Sequence, residues 1–160
     1  MVTALYPGSF DPITLGHMDI ATRSAALFDK VYVAVVDTRS SKSIMFNTEE
    51  RVALCRDALC DYPNIEVVPY TGLTVAFARK VGATVMVRGL RMGSDFEYEC
   101  EMALNNQKLA SDVDTLYLMA SLDHIYIKSS LIKEIAAGEG DISHLVPNKV
   151  AVALRDRYRS

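Results

Sequence analysis

The stretch YPGSFDPITLGH at residues 6–17 joins the end of an apolar run to the start of a segment with helical period. Gly8 has no side chain, so the backbone there can turn sharply and come close to a ligand. The helix expected from Gly16 to Phe28 directs its unpaired N–H groups and the positive end of its dipole toward the same place. His17 lies in the first helical turn and adds a side-chain donor. The stretch therefore predicts a phosphate-binding turn between a strand and a helix.

Short β-branched runs alternate along the rest of the chain with longer segments of helical period. The predicted strands lie at residues 3–6, 31–36, 65–68, 84–87 and 115–119. The further predicted helices begin after a capping residue at Asn47, cover 73–81, begin near 94, and cover 129–137 and 150–158. This alternation is typical of a parallel sheet with crossover helices. We therefore expect an α/β fold, a single doubly wound Rossmann-like domain over residues 1–160 with a five-stranded parallel sheet and helices on both faces.

The fourth predicted helix opens with the capping-box pattern SDFE at residues 94–97. Phe96, Cys100, Ala103 and Leu104 follow one another at helical spacing. Such a stripe is typical of a helix face that packs on a core. We therefore expect these four side chains to be buried.

Doubly wound sheets bind ligands outside the carboxyl ends of the strands, where the strand order reverses. The first and fourth strands usually flank that point, and here the fourth leads into RGLRMGS at residues 88–94. Arg88 and Arg91, spaced by Gly89, present guanidinium groups that suit phosphate oxygens. The alternative is that either arginine pairs with an acidic residue of the following helix, Asp95, Glu97 or Glu99.

The composition narrows the class of partner. Half of the 160 residues are hydrophobic and the net charge is −3, so we expect no general affinity for nucleic acid or for an anionic membrane. The three cysteines, at positions 55, 60 and 100, lack metal-type or redox-type spacing and are expected to be reduced. No basic leader or run of eighteen apolar residues is present. The sequence therefore predicts a cytoplasmic protein whose anionic ligands are met by local charges.

Two of these motifs also carry a family resemblance. GSFDPITLGH at residues 8–17 resembles the first signature of the nucleotidylyltransferase superfamily, and Thr14 is the usual residue of its phosphopantetheine branch. RGLR at 88–91 followed by DFEYE at 95–99 is a second match to the phosphopantetheine adenylyltransferase family. A third segment, HIYIKSSLIK at 124–133, is similar to the serine-rich motif of that family, with Lys128 in the place of the first serine.

The resemblance covers nearly the whole chain and implies a reaction. Members of the family transfer the adenylyl group of ATP to 4′-phosphopantetheine, which gives dephospho-coenzyme A and pyrophosphate in coenzyme A biosynthesis. A magnesium ion bound with ATP and pyrophosphate is the implied cofactor. The resemblance also implies a homohexamer and feedback binding of coenzyme A.

The resemblance gives a role to each matched residue. His17 would stabilise the transition state, and Lys42, Arg88 and Arg91 would complete the catalytic set. The implied ATP-binding residues are Ser9, Phe10, His17, Gly89, Leu90, Arg91, Glu99, His124, Ile125, Tyr126, Ile127, Lys128, Ser129 and Ser130. The implied substrate-binding residues are Ser9, Lys42, Thr74 and Arg88. No side chain is assigned as a direct metal ligand.

Several of these residues have a second interpretation. Lys42 aligns with a family lysine that contacts the acceptor phosphate, although this stretch has what looks like one residue more than the common family spacing. Arg39, three residues earlier, is interpreted as part of a solvated loop. Thr74 could cap the third helix instead of contacting substrate. Lys128 could add a cation near the triphosphate or face solvent. His124 could contact the adenine or lie on the surface.

Three rival functions remain open from the sequence. The first is a nucleotidylyltransferase with another acceptor, such as nicotinate mononucleotide or glycerol phosphate. The second is a module that senses adenylates or coenzyme A without catalysis. The third is that the basic residues serve only contacts between subunits.

Overall fold

The computed structural model describes residues 1–37, 44–91 and 93–159, with the side chains at 94 and 95 left undescribed. Five strands form a sheet: β1 (Thr3–Gly8), β2 (Lys30–Val36), β3 (Ile65–Tyr70), β4 (Val85–Leu90) and β5 (Asp114–Met119). All neighbouring strands are parallel, in the order β3-β2-β1-β4-β5. The predicted five-stranded parallel sheet is confirmed.

Six helices connect and follow the strands within the described residues. They are α1 (Leu15–Leu27), α2 (Thr48–Ala58), α3 (Thr74–Lys80), α4 (Gly93–Leu109), α5 (Ser129–Ala137) and α6 (Asn148–Arg159). Side chains of α1, α2, α5 and α6 pack with one face of the strands around Val33. Side chains of α3 pack with the other face around Leu5. Because successive strand residues point to opposite faces, the two cores cover both sides of the sheet, as predicted.

The strand order reverses between β1 and β4, as the sequence predicts. β1 pairs with β2 from Thr3–Lys30 to Gly8–Val35. Its ladder with β4 covers Ala4–Val85 and Leu5–Met86. Beyond these two pairs the carboxyl-terminal halves of β1 and β4 are unpaired with each other, so a cleft opens at the topological switch point.

Capping side chains set the starts of α1 and α2. Thr14 is the N-cap of α1, which begins at Leu15, one residue before the prediction. Asn47 caps α2, and the side chain of Glu50 accepts from the Asn47 backbone N–H in return. The capping box predicted at Asn47 is therefore confirmed.

Two local predictions need correction. β4 extends to Leu90, so Arg88 and Gly89 lie within the strand, and Arg91 follows it directly. The prediction that the apolar stripe on α4 is buried is wrong, because Phe96 and Leu104 are 57% and 60% exposed. The helix instead turns Glu99 inward, where the carboxylate binds Arg88.

No helix among the described residues is both long and apolar enough to span a membrane.

Candidate active site

A cavity of about 520 Å³ lies at the carboxyl ends of β1 and β4. The turn after β1 forms one wall, the end of β4 forms a second, and the chain that leads into α5 forms a third. Its lining includes Ser9, Phe10, His17, Arg88, Gly89, Arg91, Glu99, His124, Ile127, Lys128, Ser129 and Ser130. These twelve residues were all predicted as site residues from the sequence.

His17 takes part in the cap of its own helix. The backbone N–H of Thr14 donates to Nδ1 of His17 at 3.1 Å, and the Thr14 hydroxyl accepts from the His17 backbone N–H at 3.2 Å. Histidine thus occupies the position that Glu or Gln takes in the usual capping box. Because Nδ1 accepts a backbone N–H, the neutral ring carries its proton on Nε2. The cap therefore fixes both the orientation and the tautomer of His17.

Burial, together with the positive charges of Arg91 and Arg88, lowers the pKa of His17 to about 4. All three causes oppose a second proton, so the imidazole is neutral at pH 7. A neutral ring with Nδ1 occupied has one N–H to offer, at Nε2. His17 can therefore act as a hydrogen-bond donor to an anion without carrying a full charge itself.

The residue with left-handed backbone geometry in this turn is Phe10, with φ of 48°. Its ring packs edge-on against Tyr6 at 5.3 Å and against His17 at 5.1 Å between centroids. A Cβ on Gly8 would lie 3.0 Å from two carbons of the Phe10 ring. Gly8 is thus needed because the Phe10 ring lies against the backbone, and the unusual φ belongs to Phe10. Aromatic residues rarely adopt this conformation, which marks a functional turn.

Arg88 forms a two-pronged ion pair with Glu99. Its Nε and one terminal nitrogen donate to the two carboxylate oxygens at 2.9 and 2.6 Å, and the other terminal nitrogen donates to the Pro7 carbonyl at 2.9 Å. Burial opposes the charged form, but the hydrogen bonds and the charge of Glu99 raise the pKa of Arg88. The sequence alternative of pairing with Glu99 is therefore correct for Arg88. It coexists with a position on the cavity wall, since these bonds use three of the five N–H groups of a guanidinium.

Arg91 connects the end of β4 to the chain that enters α5. One terminal nitrogen donates to the Ile127 carbonyl at 3.0 Å. The Ser129 hydroxyl at the start of α5 donates to the Pro12 carbonyl at 3.0 Å. The helix start is thus held to both β4 and the turn after β1, and its N-terminal N–H groups lie at the cavity.

Lys128 and His124 line the same wall. Lys128 is the N-cap residue of α5 and is exposed at the mouth of the cavity. His124 Nδ1 lies 2.7 Å from the Ser121 hydroxyl. Both positions are compatible with nucleotide contact, and the roles of both residues stay predictions.

A second cavity of about 230 Å³ adjoins the first. The two share Pro7, Gly8, Ser9, Arg88, Tyr98 and Glu99. Thr74 lines the second cavity and lies 3.0 Å from the Tyr70 hydroxyl. The N-cap of α3 is Leu73, so the alternative that Thr74 caps this helix is wrong.

Three predicted ATP-binding residues do not line either of these two cavities: Leu90, Ile125 and Tyr126. Leu90 is buried and Tyr126 is exposed, and their roles stay predictions. Lys42 and Arg39 lie outside the described residues.

Sequence reasoning missed several residues of the second cavity. Tyr98, Met102, Asn106 and Tyr117 line it, from α4 and β5. Glu99, Ala103 and Asn106 share one helix face at intervals of four and three residues. That spacing could have been found, but the neighbouring apolar stripe through Phe96 gave the stronger signal.

Comparison with known proteins shows which family this architecture belongs to. Residues 5–135 match the cytidylyltransferase-like family. A phosphopantetheine adenylyltransferase of Lachnoclostridium phytofermentans is 46% identical over 158 residues, which cover 99% of this chain and 96% of the relative. Relatives of the same name from a Roseiflexus species and from Staphylococcus carnosus are 49% and 48% identical, with coverage of 96% or more on both sides.

A solved structure with the same fold is that of a protein named as a nicotinate-nucleotide adenylyltransferase, from Vibrio parahaemolyticus. It aligns with a TM-score of 0.73 at 18% identity and covers 100% of this chain and 97% of that one. At this identity the likeness supports the fold alone. The fold, the cavity and the full-length similarity agree: the chain belongs to the cytidylyltransferase-like nucleotidyltransferases and, within them, to the phosphopantetheine adenylyltransferase family.

Proposed function

We propose that this enzyme transfers the adenylyl group of ATP to 4′-phosphopantetheine, with dephospho-coenzyme A and pyrophosphate as products. The observation that carries the proposal is the neutral, tautomer-fixed His17, which lines one cavity with Arg88 and Arg91 in the cleft of β1 and β4. The full-length relatives named for this reaction support the choice of substrates.

The reaction needs little from a general base. The acceptor phosphate is already anionic at neutral pH, so one of its oxygens can attack the α-phosphorus of ATP directly. The new bond joins that oxygen to the α-phosphorus, and the bond between the α-phosphorus and the bridging oxygen of pyrophosphate breaks. Negative charge gathers on the α-phosphate oxygens during the transfer, so catalysis is mainly positioning and charge stabilisation.

His17 is the donor that we assign to the transferring phosphate. Its Nε2–H is directed by the Thr14 cap, and no reorganisation of the ring is required when charge develops. Because its pKa is lowered to about 4, the ring is neutral at pH 7, and the proton that it offers is the single N–H of a neutral imidazole. His17 would therefore stabilise the transition state more than the bound ATP.

The two arginines and the start of α5 are assigned to bind the remaining phosphates. Arg88 lines both cavities and is assigned to the acceptor phosphate. Arg91 and the start of α5 are held together by the hydrogen bond to Ile127 and are assigned to the nucleotide phosphates. Lys42 is assigned to the acceptor as the family resemblance implies.

The second cavity is the place that we assign to the pantetheine arm. It adjoins Arg88, so a phosphate held there would direct the rest of the acceptor into it. Its wall combines apolar surface at Met86 and Met102 with polar groups at Thr74 and Asn106. An arm of methylene and amide groups requires this mixture.

Magnesium is proposed to enter with ATP as part of the substrate. Triphosphate oxygens are hard ligands of the kind that Mg²⁺ prefers, and the ion usually keeps several waters. Glu99, the carboxylate on the cavity wall, is bound to Arg88. We therefore assign phosphates and water as ligands, and we expect chelation of Mg²⁺ to stop turnover.

Release of pyrophosphate from MgATP tests the proposed reaction. We expect release that depends on 4′-phosphopantetheine and that does not occur with nicotinate mononucleotide as the matched acceptor control. Release with nicotinate mononucleotide alone would assign a different acceptor. ATP binding without release for any acceptor would make the protein a sensor.

We also propose that the enzyme is a cytoplasmic homohexamer subject to feedback binding by coenzyme A, as the family resemblance implies. Exposed apolar side chains support the oligomer. They are Phe96, Leu104 and Leu109 of α4 with Leu116 and Met119 of the edge strand β5. Coenzyme A contains the pantetheine arm, so we expect it to compete for the second cavity.

A further inference from the structure

Asp11 is a buried carboxylate in the turn after β1, only 3% exposed. Its two oxygens accept the backbone N–H groups of Met45 and Phe46, each at 2.9 Å. One of them also accepts from the Lys133 ammonium at 2.9 Å. Three separate segments therefore meet on one side chain: the turn, the chain that enters α2, and α5.

The contact with α5 is made twice. Ser129 and Lys133 lie one helical turn apart on α5, and they bond to the consecutive residues Pro12 and Asp11. These two bonds fix the position of the helix start relative to the turn. The turn leads within a few residues to Thr14, which caps α1, and to His17, the proposed phosphate donor.

The serine-rich segment has a basic residue, Lys133, one turn into α5, where a lysine could reach the outer phosphates of a nucleotide. In the structure its ammonium donates to the Asp11 carboxylate at 2.9 Å. A buried carboxylate without its cation would be costly, because the burial is not compensated. The ion pair thus gives Lys133 a task other than phosphate binding.

We propose that Asp11 is a positioning residue for adenylyl transfer and that Lys133 acts through it, holding the start of α5 against the turn that carries His17. The pair sets the distance between the nucleotide-facing helix and the transition-state donor. This inference rests on the proposed adenylyl transfer. A shift of about 1 Å in such an alignment can cost about 10²-fold in rate.

A double-mutant cycle with Asp11→Asn and Lys133→Met tests the proposal. We expect each single variant to lower kcat about 10- to 100-fold, with the Kd for ATP within about threefold of wild type. Since both substitutions break one interaction, the double variant should be no slower than the slower single variant. Lys133→Arg keeps the cation and should recover most of the lost kcat.

The matched control is Lys149→Met, which removes the lysine of another Lys–Asp pair, with Asp57, outside the two site cavities. It should leave kcat unchanged. Thermal unfolding of every variant identifies a temperature at which all are folded, where the rates are compared. Asp11→Asn is isosteric, so it supplies the rate measurement even where Lys133→Met is unstable.

Three results would overturn the proposal. One is a Kd for ATP that rises tenfold or more in Lys133→Met and not in Asp11→Asn, since Lys133 would then bind nucleotide. The second is a double variant whose loss of kcat equals the product of the two single losses. The third is a kcat equal to that of wild type in both single variants, each of them folded. Calorimetric titration of ATP needs no turnover. It therefore shows whether Lys133 contributes to ATP affinity even if the wild-type enzyme fails to release pyrophosphate with 4′-phosphopantetheine. That failure would remove the proposed function instead.

Discussion

At the scale of single residues, His17 shows how a helix cap can prepare a catalytic group. The ring nitrogen that accepts the Thr14 backbone N–H is unable to carry the donor proton, so the proton lies on the other nitrogen. Tautomer, orientation and helix start are therefore fixed by one arrangement. The sequence predicts His17 at the phosphate site, but not the cap, because histidine is an unusual partner in a capping box.

Replacing His17 by Ala should lower kcat roughly 10²- to 10³-fold with a smaller change in ATP binding, because a transition-state donor is lost. Steady-state kinetics and calorimetric ATP titration measure the two effects separately. His144→Ala, which changes an exposed histidine outside the two site cavities, is the matched control. If ATP affinity and turnover fell equally, His17 would be a binding residue only.

The protonation of His17 should be visible by NMR. We expect its ring Cε1–H resonance to titrate near pH 4 and to stay unchanged through pH 6.5, because burial and the two arginines disfavour the cation. The chain has three histidines, and the His17→Ala spectrum assigns the signal. The unfolded chain takes up this proton near pH 6.5, so the contribution of His17 to stability is present above that pH. It is lost as pH falls toward 4. A midpoint near 6.5 would contradict the assigned environment.

At the scale of elements, the cap of α2 has a measurable value. The Asn47 side chain accepts from the Glu50 backbone N–H at 2.9 Å. Asn47→Ala should lower the free energy of unfolding by about 1 kcal/mol, which corresponds to roughly 2–4 °C in Tm for a domain of this size. Asn47→Asp keeps an acceptor and should retain most of the stability in the same thermal scan. Equal losses in both variants would show that the lost stability does not come from the side-chain acceptor.

The elements were largely predictable because their local signals agree with the fold. The five strands follow β-branched runs, and α5 has the predicted bounds of 129–137. β4 was predicted too short because Arg88 and Gly89 are typical of a loop in sequence, whereas pairing with Tyr117 and Leu118 of β5 keeps them extended. Periodicity also failed on α4, since it detects an apolar face without telling whether its own chain covers that face.

The site was less predictable than the sheet. Motifs named residues that line one cavity, but the left-handed Phe10 and the hydrogen bonds of Asp11 depend on contacts between distant segments. Glycine was the natural candidate for an unusual φ in the turn. Packing against Tyr6 and His17 assigns that conformation to Phe10 instead.

At the scale of the whole molecule, the exposed apolar side chains of α4 and β5 are consistent with the proposed oligomer, because exposed apolar surface often marks an interface. Leu104 is 60% exposed. Leu104→Asp should therefore shift wild-type oligomer toward monomer in sedimentation velocity without lowering the Tm of the monomer. Val152→Asp changes a comparably exposed residue on α6 and should not. A wild-type monomer would refute the hexamer.

The assignment of residues 1–160 to one domain remains our proposal.

The two-pair ladder between β1 and β4 also makes the middle of the sheet its weakest seam. The nucleotide and the acceptor would each touch groups on both sides of it, since His17 follows β1 while Arg88 and Arg91 belong to β4 or follow it. Bound substrates would then stabilise the association of β1 with β4. Amide hydrogen exchange should accordingly slow at Val85–Val87 on ligand binding. It should slow much less within β2 and β3, where six residue pairs already join the strands. Equal slowing in both places would contradict this mechanical coupling of substrate to sheet.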